Sequence, residues 1–395
     1  MATVRWQGGA ANVAQVDTFT PGGTIEATDV FTIVLSREDG GQSSVSVTAG
    51  GTSVAAVASA LFAALSTSID PLFEAIVWQD IGTAVRGTAR IAGVPFYATT
   101  ATTETGGGAA DDQTFVRAAV TASSGPNDWA VGQNWQGGSP PSADDDVVIA
   151  GSTSSILFGL RQSSLNLGSL KRGRSHLGDL GDRANGYPLQ LGTVGVFAFA
   201  GVSGAANIQA TITEAIVTGT TSGDDAVVLA GTVTTLHVVG QDVRGNVRLV
   251  TGLSATTINW LDVAPTAVMT TGSTTSITTF RCRGGRVEWR AGNITTIDLA
   301  GGTFVMLDGS PVNVNGYVGT LDYRSAGTIT ALNLYGATLT TAGTDAESAT
   351  ITNATVVAGL LDLRSSLGNV ILSNDPVVKG GRIEGDVGQT VNPQV

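Results

Sequence analysis

The sequence predicts a mainly β protein in which a parallel β-solenoid follows a small α+β domain. The composition supports strands and tight turns, because Thr, Ala, Val, Ser and Leu predominate, 53 of the 395 residues are Gly and only 6% are aromatic. Apolar residues make up 42% of the chain, which is enough to bury a core although only 13% of residues are charged. A short motif also recurs about every 20 residues in the later part of the chain, as is typical of solenoid proteins.

Residues 1–122 are predicted to form the small α+β domain. Strand character is found at 29–35 (DVFTIVL) and 43–49 (SSVSVTA). A helix is predicted at about 52–67, because Thr52 or Ser53 can cap it and apolar residues then recur at helical spacing. These apolar residues are Val54, Val57, Leu61 and Leu65. No polar residues converge here in a way that suggests chemistry, so we expect a compact folding unit.

Residues 123–150 form a predicted linker and the start of the solenoid, because Gly, Pro, Ser and Asn are frequent there. Trp129 and Trp135 lie in this segment. We expect them to close the end of a core, since a large aromatic ring in a turn-rich segment does this more often than it binds a ligand. Three consecutive carboxylates, Asp144 to Asp146, end the segment, and a strand is predicted directly after them.

The solenoid is predicted over residues 151–395. Its motif is Thr or Ala, an apolar residue, a variable residue and usually a second apolar residue. The motif occurs as TLHV (235–238), TINW (257–260), TFRC (279–282), TIDL (296–299), TLDY (320–323), ALNL (331–334) and TITN (350–353). One turn cannot bury its apolar side alone, so successive turns stack with strands about 4.8 Å apart. The spacing between residues 320 and 331 is too short for a full turn, which indicates two sides of one turn.

Stacking of these motifs predicts three rows of side chains, since alternate residues of a strand point in opposite directions. The first inward row is Leu236, Ile258, Phe280, Ile297, Leu321, Leu332 and Ile351. The second inward row is Val238, Trp260, Cys282, Leu299, Tyr323 and Leu334. The outward row between them is His237, Asn259, Arg281, Asp298, Asp322, Asn333 and Thr352.

Several stretches resemble virion proteins of tailed bacteriophages and of prophages. Residues 14–37 (AQVDTFTPGGTIEATDVFTIVLSR) and 44–65 (SVSVTAGGTSVAAVASALFAAL) resemble a small domain that recurs in that group. Residues 127–151 (NDWAVGQNWQGGSPPSADDDVVIAG), followed by Thr-rich turns, resemble the start of its right-handed parallel β-helices. The resemblance implies a structural component of a virion, and it supplies no catalytic residues.

The run Asp144–Asp146 has two interpretations. A calcium site needs several carboxylate oxygens that converge on one ion. Consecutive strand residues point to opposite faces, however, and Asp is also favoured in turns because its side chain bonds nearby backbone groups. We therefore expect a turn and the start of a strand here, and no metal site.

The segment FRCRGGRVEWR (280–290) is the densest basic patch of the chain. Its outward arginines, Arg281, Arg283, Arg286 and Arg290, are the candidate interface residues, because Arg is favoured at interfaces. The alternative is a solvated surface on which Glu288 and Asp298 neutralise the arginines. A second basic cluster, KRGRSH (171–176), is either a binding loop or an ordinary loop.

Enzymatic cleavage of polysaccharides, which other β-helices perform, needs clustered carboxylates or an Asp beside Arg or Lys. Asp298 and Asp322 could form such a pair, but the sequence places no further carboxylate, Lys or paired His beside them. His176 and His237 are isolated, and no P-loop, nucleophile elbow or metal-spaced His pair is present. We therefore expect no enzyme activity, no catalytic residue, no metal and no cofactor.

The charge of the chain excludes a further class of function. The net charge is −12, and an acidic chain is a poor nucleic-acid binder because phosphate contacts need a positive surface. A single cysteine, Cys282, excludes an internal disulfide and a Cys-based zinc site. No apolar stretch is long enough to span a bilayer and no signal-peptide pattern is visible, so we expect synthesis in the host cytoplasm and no membrane partner.

The first hypothesis is a virion structural protein, such as a capsid decoration or head-spike protein. Its N-terminal domain would bind capsid or tail proteins of the same virion, and its β-helix would project. A homotrimer is expected, because phage β-helices usually associate side by side, as the resemblance implies. The alternative is a tail fibre or adhesin that binds host surface glycans, and the third hypothesis is a polysaccharide-degrading enzyme.

Overall fold

The structure is a computed structural model of the chain. It describes residues 2–105, 112–201, 203–221, 226–249, 254–272, 275–290, 292–341, 348–364 and 369–385. Strands account for 56% of the residues and helices for 6%, which confirms the mainly β class. The predicted parallel β-solenoid is present and has about 10 turns.

The chain divides into two compact units, and their bounds differ from the predicted domains 1–122, 123–150 and 151–395. The small unit contains Gln7–Pro140 and Ser154–Arg161, and the solenoid unit contains Met1–Trp6, Pro141–Thr153 and Gln162–Val395. The difference arises because Thr3–Trp6 pairs in parallel with Asp146–Ile149 and so belongs to the solenoid. In chain order, most of the small unit, Gln7–Pro140, is therefore inserted between these two solenoid strands.

The first strand, β1 (Thr3–Trp6), is thus a solenoid strand. The small unit contains β2 (Val16–Gly23), β3 (Val30–Ser36), β4 (Gln42–Thr48), α1 (Val54–Ser66), α2 (Pro71–Glu74), β5 (Ile76–Asp80), β6 (Val85–Ala89), β7 (Tyr97–Thr103), β8 (Gln113–Thr121) and a 3-10 helix (Gly132–Asn134). Its strands form two antiparallel sheets with the orders β5-β6-β2-β8 and β4-β3-β7.

The predicted helix is α1, and its cap is Ser53, whose hydroxyl accepts a hydrogen bond of 3.3 Å from the backbone N–H of Ala56. Three of the four predicted apolar residues, Val57, Leu61 and Leu65, are buried in the core of the small unit, and Val54 is half-buried. The short helix α2 was not predicted. Within the described residues, no helix has the length and apolarity that crossing a membrane requires.

The remaining strands belong to the parallel sheet of the solenoid, although Arg161 of β10 is the last residue of the small unit. They are β9 (Asp146–Ile149), β10 (Arg161–Gln162), β11 (Leu167–Arg172), β12 (Leu189–Ala200), β13 (Ala206–Gly219), β14 (Val227–Val239), β15 (Asn246–Leu249), β16 (Ser254–Leu261), β17 (Val268–Thr271), β18 (Thr275–Trp289), β19 (Gly292–Met306), β20 (Asn313–Tyr323), β21 (Thr328–Leu334), β22 (Thr338–Thr340), β23 (Ser348–Val356), β24 (Leu360–Asp362), β25 (Asn369–Leu372), β26 (Val377–Val378) and β27 (Arg382–Glu384).

Two sides of the solenoid carry the candidate residues. Side A is formed by residues 235–238, 257–260, 279–282, 296–299, 313–316 and 331–334, which are paired in register in that order. Side B is formed by residues 246–249, 268–271, 286–289, 303–306 and 320–323. Segments 320–323 and 331–334 therefore lie on different sides, as their short spacing indicated.

The predicted rows of side chains are confirmed on side A as far as residues 297 to 299, and beyond them the register differs. Val314, Asn315 and Gly316 take the positions assigned to Leu321, Asp322 and Tyr323, and Ala354 and Thr355 take those assigned to Ile351 and Thr352. The reason is that both sides of a turn bury alternate residues, so the same motif occurs on both. Leu321 and Tyr323 are indeed buried, but on side B.

Glycines with positive φ form the corner between sides A and B. The φ angle is +76° at Gly302 and +102° at Gly319. A Cβ atom on Gly319 would lie 2.6 Å from the carbonyl oxygen of Gly302 on the preceding turn. The close stacking of these corners therefore requires glycine, both for backbone conformation and for space.

Candidate functional site

The four candidate arginines point outward, as predicted. We call Arg281, Arg283, Arg286 and Arg290 the arginine patch. Their side chains are between 44% and 61% exposed, whereas Phe280, Cys282, Val287 and Trp289 of the same segment are buried. This alternation follows from the strand conformation of β18, which crosses the corner from side A to side B.

Each arginine of the patch has an acidic neighbour. Glu288 lies between Arg286 and Arg290, at N···O distances of 3.1 and 3.4 Å. The other two pairs are Arg283 with Asp262 at 3.9 Å and Arg281 with Asp298 at 3.8 Å. The last pair confirms the neighbour given by the predicted register. Exposed pairs of this kind contribute at most about 1 kcal/mol each, and a guanidinium with its five N–H donors can still bond a partner.

Arg281 also belongs to a row of polar side chains on side A that occupy the predicted outward position, although one of them, Asn259, is itself buried. This polar ladder consists of His237, Asn259, Arg281, Asp298, Asn315 and Asn333, which occupy one register position on successive turns. The sequence predicted every member except Asn315. Strand spacing of about 4.8 Å brings polar side chains of neighbouring turns within hydrogen-bonding reach of one another.

The members of the polar ladder bond one another along the solenoid. Asn259 Nδ2 is 3.2 Å from His237 Nδ1, and Arg281 Nη1 donates to Asn259 Oδ1 over 3.4 Å. Asn315 Nδ2 donates to Asp298 Oδ1 over 2.9 Å, and Asn333 Nδ2 donates to Asn315 Oδ1 over 3.1 Å. The ladder therefore satisfies much of its own hydrogen-bonding capacity and holds its side chains in fixed positions.

The structure does not bring Asp298 and Asp322 together as the carboxylate pair that the sequence allowed. Asp298 lies on side A between Arg281 and Asn315, whereas Asp322 lies on side B. Asp322 Oδ2 accepts hydrogen bonds from Arg324 Nε and Nη2 at 2.9 and 2.5 Å. The two carboxylates therefore do not act on one substrate atom as a pair.

Sequence reasoning missed an exposed aromatic pair at the corner of the solenoid. Tyr317 and Tyr335 follow the side A segments of two successive turns, and their rings stack with centroids 5.1 Å apart and an interplanar angle of 10°. They are 47% and 45% exposed, and Val318 beside them is 61% exposed. The available signal was a Tyr placed directly after the side A segment in two consecutive turns.

The carboxylate run Asp144–Asp146 starts a strand, as interpreted. Asp144 has a φ of +65°, and β9 begins at Asp146. The Asp145 carboxylate accepts hydrogen bonds from the backbone N–H groups of Ser142, at 2.9 Å, and Ala2, at 3.1 Å, and these bonds lower its pKa. The Asp146 carboxylate has a different partner, since its Oδ1 accepts a hydrogen bond of 2.5 Å from Ser169 Oγ.

The second basic cluster is not a binding loop throughout, because Arg172 and His176 are buried in the solenoid unit. Arg172 lies 4.7 Å above the ring of Phe199, and its Nη2 donates to the carbonyl oxygen of Gly178 over 3.1 Å. Burial lowers the pKa of Arg172 to about 10. Burial, followed by the positive charge of Arg172, lowers the pKa of His176 to about 4.

A buried carboxylate fastens a loop within the small unit. Glu38 accepts hydrogen bonds from the Tyr97 hydroxyl at 2.5 Å, from the N–H of Gly159 at 2.9 Å and from the N–H of Leu160 at 3.1 Å. Burial raises the pKa values of both Glu38 and nearby Asp128. These contacts hold residues 159–160 against β7 and the turn after β3, which is a structural role. Trp129 and Trp135 are also buried in this unit and pack edge to face at 4.7 Å.

Comparison with known proteins gives no relatives for this chain: no family model, no curated protein and no solved structure matches it.

Proposed function

We propose that this chain is a structural component of a phage virion, most simply a capsid decoration or head-spike protein without enzymatic activity. In this proposal, the small unit binds capsid or tail proteins of the same particle, and the solenoid is presented to the medium. The chain is made in the host cytoplasm and resides in the virion. The location in a virion is proposed because residues 14–37, 44–65 and 127–151 resemble virion proteins.

The polar ladder is the observation that carries the structural role. A surface that binds a small ligand leaves polar groups ready to bond it, whereas here Asn259, Asp298 and Asn315 are bonded to their neighbours on adjacent turns. Bonds between turns oppose the separation of turns, because every turn contacts only its neighbours in a solenoid. This arrangement supports a structural role more than a site that recognises a small molecule.

The test is the location of the chain in particles. Virions from the phage or lysogen that encodes it are banded twice in a density gradient, and the fractions are quantified by mass spectrometry. We expect the chain to band with the major capsid or tail proteins at a constant ratio, and immunogold labelling to place it at one location on intact particles. A chain that stays in the soluble fractions while the particles band intact would contradict the proposal.

The second candidate function is a tail fibre or adhesin that binds host surface glycans, and the stacked pair of Tyr317 and Tyr335 favours it. Exposed aromatic rings are the common platform for sugars, because they offer an apolar face beside a polar hydroxyl. The mutual stacking covers one face of each ring, however, and leaves the other faces and the edges for a sugar. Binding of intact host cells by wild type but not by Tyr317→Ala would favour this candidate over the structural one.

A further inference from the structure

The small unit contains a cluster of three carboxylates that the proposed function does not use. One carboxylate oxygen from each of Glu26, Asp29 and Glu104 lies within 4.8 Å of the corresponding oxygens of the other two. Within the described residues, this is the one group of three or more His, Cys, Asp or Glu side chains that come so close. We propose that these three residues bind a calcium ion.

Strand pairing brings the three residues together. Asp29 immediately precedes β3 and Glu104 immediately follows β7, and these antiparallel strands pair Val30 with Thr103. The same register places Asp29 opposite Glu104 at the end of the sheet. Glu26 joins them through a tight turn, in which the N–H of Asp29 bonds the carbonyl oxygen of Glu26 at 3.3 Å.

Asp29 gives an independent indication of a cation site. Its side chain is completely buried, and its Oδ1 has no hydrogen-bond partner within the described structure. The other oxygen, Oδ2, accepts a hydrogen bond of 2.8 Å from the N–H of Glu26, which fixes the carboxylate in orientation. A buried carboxylate oxygen without a donor is costly, and a bound cation would remove that cost.

The negative charges of the cluster also favour a bound cation. Neither Glu26 nor Asp29 forms an ion pair with a Lys or Arg in the described part of the chain. Carboxylates at this separation repel one another unless a positive charge lies among them. A divalent cation bound between the carboxylates would offset that repulsion.

The donor set and its spacing suit calcium. All three donors are hard carboxylate oxygens, which Ca²⁺ prefers, and Ca²⁺ accepts irregular geometry at about 2.3–2.6 Å per ligand. Two oxygens on one ion can then be about 4.6–5.2 Å apart at most, and the 4.8 Å limit of the cluster is within this range. Mg²⁺ demands a stricter octahedron with shorter bonds, so we expect it to bind more weakly.

A calcium ion here would hold together the ends of the sheet β4-β3-β7. The backbone carbonyl of Asp29 already accepts a hydrogen bond of 2.7 Å from Ala49, just after β4, and Ala49 in turn accepts one of 2.8 Å from Thr28. Calcium would therefore reduce local opening of the turn 26–29 and of the end of β7, with no direct effect on the solenoid strands.

The experiment uses the full chain, freed of divalent cations with a chelator that is then removed. Isothermal titration with CaCl2 alone should give one bound ion per chain, and titration with MgCl2 should give binding at least tenfold weaker. Asp29→Asn and Glu104→Gln should each weaken Ca²⁺ binding by at least tenfold. Glu74→Gln removes an exposed carboxylate of the same unit and should bind Ca²⁺ as wild type does.

Hydrogen exchange provides the second readout. Ca²⁺ should slow amide exchange in peptides that cover residues 24–30 and 98–105, and should leave solenoid peptides unchanged. If Asp29→Asn fails to fold, Glu104→Gln decides, because Glu104 is only half-buried at a strand end. The proposal is overturned by no calcium binding to the folded wild type, by undiminished binding in Glu104→Gln, or by equal or tighter binding of Mg²⁺.

Discussion

Asn315 donates a hydrogen bond of 2.9 Å from Nδ2 to Oδ1 of Asp298, which lies on the preceding turn of the solenoid. Its own Oδ1 accepts a hydrogen bond of 3.1 Å from Asn333 of the following turn. Asn315 is therefore bonded to both neighbouring turns through one amide group. The same position is two residues from Tyr317, so the polar ladder and the exposed aromatic pair lie on adjacent parts of the surface.

The first prediction concerns this pair. Asn315→Ala and Asp298→Ala should each lower the free energy of unfolding of the solenoid by about 1–2 kcal/mol, because each leaves charged or amide groups without their partner. In the double variant, the free energy of unfolding should fall by about 1 kcal/mol less than the sum of the losses in the two single variants. A double-mutant cycle based on urea unfolding measures this difference.

The control for this cycle is Asn185→Ala. Asn185 Nδ2 donates to Asp182 Oδ2 at 2.7 Å, but this bond lies within one exposed loop and links no turns. Its loss should change the free energy of unfolding by less than about 0.5 kcal/mol. A coupling energy near zero between Asn315 and Asp298 would mean that the ladder does not bind the turns together.

The second prediction separates steric crowding from backbone strain at the corner. Gly319 and Gly240 have nearly equal φ angles, +102° and +103°, but a Cβ on Gly319 would lie 2.6 Å from a carbonyl oxygen, and one on Gly240 would meet nothing within 4 Å. Ala at either position should lower the free energy of unfolding by about 1–2 kcal/mol, because a residue with a Cβ atom is strained at a positive φ. Gly319→Ala should therefore be more destabilising than Gly240→Ala by about 1 kcal/mol or more, as measured by chemical denaturation followed by circular dichroism. Equal losses would show that the corner relaxes freely.

The third prediction concerns pH and His176. The folded chain holds this imidazole at a pKa of about 4, whereas the ordinary value is 6.5. Between these two values the unfolded chain binds more protons, so the free energy of unfolding falls as the pH is lowered from about 6.5 to about 4. The loss from this group should total about 3 kcal/mol.

Because carboxylates titrate over the same pH interval, the effect of His176 is measured as a difference. Hydrogen exchange in peptides from β11 and β12 should show a smaller loss of stability at low pH in His176→Leu than in wild type. If the stability of the two proteins falls equally as the pH is lowered, the prediction is contradicted, even if their stabilities differ at pH 8.

The fourth prediction concerns assembly. We expect a homotrimer in which the arginine patch packs beside carboxylates of a neighbouring copy, since Arg can bond a carboxylate with two N–H groups at once. Sedimentation velocity at moderate salt should give a species near three times the monomer mass of 39.9 kDa, and Arg286→Glu should weaken it.

The matched control for the assembly test is Arg382→Glu. Arg382 occupies the equivalent register position on side B at a later turn. It pairs with Glu384 at an N···O distance of 2.7 Å, and Arg286 pairs with Glu288 at 3.1 Å. It lies outside the patch, so its substitution should leave the trimer intact. A single species near 39.9 kDa for wild type at well above micromolar concentration would exclude the trimer.

The sequence predicted most of the solenoid but not the register of its later turns. From Leu236 to Ile297, the motif occurs on side A alone, and the prediction is confirmed there. At β20 the side A segment reads Asn-Val-Asn-Gly, which does not fit the motif, while the side B segment TLDY does. A period alone cannot distinguish two sides that bury residues in the same alternation.

The candidate sites differ in how far the sequence could predict them. The arginine patch lies within one strand, so local alternation was sufficient to predict its exposure. The cluster of Glu26, Asp29 and Glu104 depends on the pairing of β3 with β7, which are far apart in the chain. Antiparallel pairing between distant strands is not encoded in local periodicity, and this cluster could not be inferred from composition or spacing.

The parallel pairing of β1 with β9 has a consequence for synthesis on the ribosome. Thr3 and its partner Asp146 are 143 positions apart, and at roughly 5–20 residues per second the partner emerges roughly 7–30 s later. During that interval β1 lacks this neighbour, and an unpaired strand is a template for pairing with other chains. Most of the small unit, Gln7–Pro140, emerges in the meantime, so this unit can begin to fold first, since domains generally fold as units. Its rate of folding thus sets how soon the first turn of the solenoid can close, so slow folding of the insertion would lead to aggregation of nascent chains even when the solenoid sequence is unchanged.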